Sequence, residues 1–121
     1  MSQVEQNREN DQFWQLGLRQ KLICPYCGLD ARADYRILWN FAVDHLVPRT
    51  APSYRDDPIN LVLCCHSCNG AKSAFDPTDN GATQLTPETR DVLISKAREY
   101  IKSRPNRDRY YKALWEAVPK G

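Results

Sequence analysis

The sequence predicts an α+β domain: two short apolar strands and a short helix, stapled by two cysteine pairs and flanked by helices. Three observations carry that prediction. Cys24 and Cys27 form one C-x-x-C, and Cys65 and Cys68 form a second further along the chain. The apolar runs "FAV" (41–43) and "LVLCC" (61–65) are rich in residues that suit strands. Helical patterns occupy the first twenty residues and the last third.

In chain order, residues 3–21 read as one N-terminal helix with an aromatic end at Phe13 and Trp14. "LICPYCGLD" follows as a tight turn with cysteines at both ends. "YRILWNFAVDHL", β-branched and aromatic, reads as one or two strands reaching Asp44. "VPRTAPSYRDDPIN" has three prolines and is a loop; "LVLCC" is a strand and "HSCNGAKSAF" a short helix. After the turn-rich "DPTDNGATQ", a helix is expected from Thr86, with Thr86 as N-cap and Pro87 and Glu88 in its first turn. Its apolar stripe is Val92, Leu93, Ala97, Tyr100 and Ile101. Pro105 breaks it, and "NRDRYYKALWEAV" forms a last helix before Pro119. The expectation is one domain over 1–121: a core at about 22–76, a helix at about 3–21, and C-terminal helices at about 86–118.

A net charge of +2 is too small to argue by itself for a nucleic-acid partner. No run approaches the roughly 18–20 apolar residues of a membrane span, and "MSQVEQNREN" lacks the apolar core of a secretory signal. A cytoplasmic location is therefore expected, with no membrane partner. Thiols stay reduced there, so five cysteines point to metal more than to disulfides. Two C-x-x-C knuckles suit a tetrahedral zinc site made of Cys24, Cys27, Cys65 and Cys68, closed and structural. A redox role needs one pair in a βαβ context, which is missing. Cys64 is the leftover; on a strand it faces away from Cys65 and packs into the core.

Between the knuckles stand further polar residues at marked positions. Asp44 and His45 end an apolar run, Asn60 opens the next strand, and Asn69 follows the fourth cysteine with Lys72 three residues on. "DHLVPR" followed by "NLVLCCHSCNGAK" resembles the signature of the HNH endonucleases, nucleases of the ββα-metal (His-Me finger) type with a four-cysteine zinc knuckle. The resemblance covers residues 24–73 and leaves the flanking helices unexplained.

The resemblance implies a metal-dependent endonuclease hydrolysing phosphodiester bonds in DNA. It makes His45 the general base, an imidazole able to take a proton from water near neutral pH. Asp44 and Asn69 become the ligands of one catalytic divalent cation, their oxygen donors favouring Mg²⁺ or Mn²⁺. Asn60 is implied to clamp the loop backbone and so orient His45. Lys72, together with Arg49, is assigned to substrate phosphates. Because adjacent strand residues point to opposite faces, the strand must end or twist at Asp44-His45 for both to serve one site.

Two features depart from the family pattern: the 46–59 loop lacks a frequent glycine pair, and the second ligand is Asn rather than His. His66, inside the second knuckle, is a rival contact for metal or phosphate. The expected partner is nucleic acid, double-stranded DNA first, with a homodimer or larger assembly supplying target choice. A different class of function stands beside this: a non-catalytic zinc-knuckle module that binds nucleic acid or protein.

Overall fold

The computed structural model describes residues 2–48, 55–104 and 107–121. It opens with two helices, α1 (Gln3–Asn10) and α2 (Gln12–Arg19), where the sequence suggested one. The break falls at Asp11, whose extended backbone and carboxylate, 3.0 Å from the Trp14 amide, start a new helix. An aspartate satisfies an orphan helix donor better than it continues a helix.

α2 packs closely on the sheet through Gly17. A Cβ there would lie 2.8 Å from Leu22 Cδ2 and 3.2 Å from Leu63 Cδ2. Lys21 and Leu22, both with positive φ, then turn the chain into the first knuckle. That knuckle is closed by the Cys24 amide donating to the Leu29 carbonyl at 2.9 Å and by Gly28, whose φ of 82° few other residues tolerate.

The segment read as one or two strands divides differently. Tyr35–Leu38 is one helical turn, α3, capped by Asp34, and only Phe41–His45 is a strand, β1. The Asp34 cap on the Arg36 amide outweighs the β-branched character of "YRIL". β1 pairs antiparallel with β2 (Leu61–Cys65), Asp44 opposite Val62 and His45 opposite Leu61. A 3₁₀ turn, Pro58–Asn60, leads into β2.

β2 is buried along its whole length. Its outer edge is closed by side chains: Arg19 and Arg90 donate to the Leu61 carbonyl and Gln20 to the Leu63 carbonyl. Capping those carbonyls removes a template for pairing with another chain.

α4 (His66–Lys72) follows β2 directly and packs against both strands. The regular part of the next helix, α5 (Arg90–Ser103), begins later than expected. Thr86 and Thr89 first bond to each other in a separate turn. α5 buries Leu93, Ile94, Ala97 and Ile101, whereas Val92 is exposed. These residues join one core with Leu16, Phe41, Leu61 and Leu63. Pro105 lies outside the described residues. α6 (Arg107–Glu116) exposes Tyr110, Tyr111, Leu114 and Trp115. Among the described residues no helix is long and apolar enough to cross a membrane.

Candidate active site and metal centre

The sulfurs of Cys24, Cys27, Cys65 and Cys68 all lie within 4.8 Å of one another. The Cys27–Cys65 separation is 3.6 Å, far beyond the ~2.05 Å of a disulfide. It is close to the edge of a tetrahedron with metal–sulfur bonds of about 2.3 Å. The four cysteines are thus positioned to form a zinc site. Two amides already point at the sulfurs: Cys65 N–H at Cys24 Sγ (3.4 Å) and Cys68 N–H at Cys65 Sγ (3.5 Å), the latter capping α4.

Electrostatics argue for a cation among them. Hydrogen bonds from Cys27, Cys65 and Cys68 pull the Cys24 thiol far below its ordinary range, while Cys24 and Cys27 push Cys65 and Cys68 up. Sulfurs so close cannot all ionise without a positive charge between them. Cys64 points the other way into the core, fully buried, and burial raises its thiol.

The structure brings Asp44, His45 and Asn69 to one cavity of about 460 Å³, together with Pro48 and Ser73. β1 ends at His45, so consecutive residues both reach this opening. Asp44 is only 5% exposed. The Tyr26 hydroxyl donates to its Oδ2 at 2.8 Å, and the Lys72 ammonium lies 3.2 Å from the same oxygen. Burial pushes the Asp44 carboxyl above its usual value, with Lys72 and Tyr26 pulling back against it. Burial and Asp44 together raise the Tyr26 phenol, keeping it a donor.

His45 is partly exposed, with Nε2 3.3 Å from Asp56 Oδ1. Asn69, on α4, makes no side-chain hydrogen bond to another described residue, which leaves its amide oxygen available to the cavity.

Asn60 is fully buried and clamps both ends of the loop after β1. Its Oδ1 accepts the Val47 amide at 2.7 Å, and its Nδ2 donates to the carbonyls of Val47 (3.2 Å) and Arg55 (3.1 Å). Asn60→Ala strands two buried backbone groups of Val47, each costing ~1–3 kcal/mol, and a part-buried one at Arg55 that costs less. The variant should lose about 3 kcal/mol or more in urea unfolding, whereas retained stability would show that the clamp matters little.

Lys72 requires a correction. Expected to contact substrate phosphates, it is fully buried. Its ammonium bonds to Asp44 and, at 3.0 Å, to the His45 carbonyl. A buried lysine must pair its charge, and the nearest carboxylate is Asp44. Arg49 lies outside the described residues. The His66 side chain is exposed and does not line the cavity.

Sequence reasoning missed Tyr26 and Asp56 as site residues. The tyrosine had one signal: it sits between two cysteines of the cluster, in a tight turn whose backbone is already fixed. Asp56 had none beyond its acidity in a loop.

The fold defines a class first: a two-strand, one-helix unit held by four cysteines, with an acid-histidine pair where the first strand ends. Residues 24–75 match the family model described as HNH endonuclease. That family is generally one of nucleases. No curated protein and no solved structure is similar enough to count as a match.

Proposed function

We propose that the protein is a metal-dependent endonuclease that hydrolyses phosphodiester bonds in DNA. The observation that carries this is the single cavity shared by Asp44, His45 and Asn69. Asp44 and Asn69 offer a carboxylate and an amide oxygen, hard donors that suit Mg²⁺ or Mn²⁺. When bound there, such a cation supplies charge neutralisation for the scissile phosphate and the leaving oxygen.

The chain's own residues do the rest. His45 takes the proton from the attacking water at its imidazole. Asp56, with Oδ1 3.3 Å from His45 Nε2, is placed to orient the ring. Asn60 fixes the loop that follows His45 at Val47 and Arg55. Lys72 ties down the backbone on the other side of the site, through the His45 carbonyl. The four-cysteine cluster, holding zinc, has no open position and takes no part in the chemistry.

One observation favours a second reading, a zinc-knuckle module that binds nucleic acid or protein without cutting. Lys72 already balances the Asp44 charge, as a purely structural pair would. Incubating the purified chain with plasmid, single-stranded DNA and RNA over a Mg²⁺ and Mn²⁺ titration separates the two. Nicked or linear plasmid that requires added cation supports the nuclease. Retained binding with every substrate intact at all cation concentrations supports the module.

A further inference from the structure

Both side chains that hold the Asp44 carboxylate come from segments that also carry the zinc cysteines. Tyr26 lies between Cys24 and Cys27, and its ring is 2% exposed. Lys72 lies four residues after Cys68, one turn along α4 and on the same side of that helix. Tyr26 reaches Asp44 Oδ2 at 2.8 Å from one half of the cluster; Lys72 reaches it at 3.2 Å from the other.

The cluster therefore fixes the distance between the two groups that aim the carboxylate. β1 supplies the aspartate, but its direction is set from outside the strand.

We infer that Tyr26 is a positioning residue through which the four-cysteine centre sets the affinity of the cavity for its divalent cation. This rests on the reading of Asp44 as a ligand of that cation. Several features support the link. The phenol is isolated from solvent, so no water can replace its hydrogen bond. The backbone on either side of Tyr26 is anchored: Cys24 N–H donates to the Leu29 carbonyl, Gly28 N–H to the Cys24 carbonyl, and the Arg98 guanidinium holds the Pro25 carbonyl at 2.7 Å. A rigid donor on an anchored turn leaves the carboxylate little freedom of rotation. A cation then meets an oxygen already in place instead of one that must be ordered first. Loosening the knuckle displaces the phenol and with it the carboxylate, although the cluster and the cavity share no ligand.

The test uses the zinc-loaded full chain. Tyr26→Phe keeps the ring and removes only the hydroxyl. Zinc content should stay at one ion per chain, while calorimetric Mn²⁺ affinity falls about tenfold or more, as for lost outer partners of metal ligands. Cleavage at saturating Mn²⁺ should recover most of its rate, a recovery that general destabilisation does not produce. Asp44→Asn is measured in parallel. Wild-type Mn²⁺ affinity in Tyr26→Phe, with affinity lost in Asp44→Asn, overturns the positioning role and leaves the ligand reading intact. Unchanged affinity in both variants overturns the ligand reading itself. If Tyr26→Phe loses its zinc, the link is read in the native chain carrying Co²⁺ at the cysteines. Visible bands that shift on saturation with Mg²⁺ support coupling between the cluster and the cavity, and bands that stay fixed overturn it.

Discussion

Stripping the four-cysteine centre with a chelator should unfold the domain. Structural zinc in small domains contributes roughly 10–16 kcal/mol of apparent binding free energy near neutral pH, whereas whole domains are stable by only ~5–15 kcal/mol. The cluster joins the segment at Cys24 and Cys27 to the β2–α4 junction at Cys65 and Cys68, which are distant in sequence. Three of these cysteines are buried, so without the metal the folded chain would hold their crowded sulfurs together with only long amide contacts to them. Metal analysis of the native chain should find one zinc, and EDTA should abolish the cooperative thermal transition seen by circular dichroism. Cys65→Ser and Cys68→Ser should behave like the chelated chain. A melt unchanged by EDTA would mean that the four sulfurs hold the fold without metal.

The parts of the molecule that could be read in advance are those fixed by local spacing. A C-x-x-C turn has few geometries that bring both sulfurs inward, so the cluster was visible in the chain. The same holds for Asn60, placed where a loop meets a strand, with a side chain that can both accept and donate. What stayed hidden depends on contacts between distant segments. Lys72 looks like a surface lysine at the end of a helix, and only the packing of α4 against β1 puts its ammonium beside Asp44. Tyr26 meets Asp44 across 18 residues, and nothing in either neighbourhood announces it.

The misread elements have a similar cause. "YRIL" carries strand-forming residues, but a four-residue turn is decided by its cap at Asp34 rather than by propensity. Val92 fits the helical period in sequence. Once the helix starts at Arg90, the buried face runs through Leu93, Ile94, Ala97 and Ile101, and Val92 falls outside it.

His45→Ala should reduce cleavage by a factor of about 10²–10⁴, the usual worth of a general base, while leaving the fold and its zinc in place. The ring, 13% exposed, lies at the end of β1 outside the hydrophobic cluster, so its removal leaves that cluster intact. The backbone at this position is held independently of the side chain, by the ladder to Leu61 and by Lys72 on the carbonyl. The loss should therefore fall on turnover, with DNA binding nearly unchanged. Imidazole added to the buffer should restore part of the activity, because the space left by the ring opens onto the cavity. Asp56 is 80% exposed on its side chain and touches only one ring nitrogen. Asp56→Ala should thus cost less than tenfold, since a solvent-screened carboxylate does little to a neighbouring charge. A His45→Ala chain that cuts at the wild-type rate would remove His45 as the base. A wild type that binds DNA but never cuts it would leave the acid-histidine pair a structural end to β1.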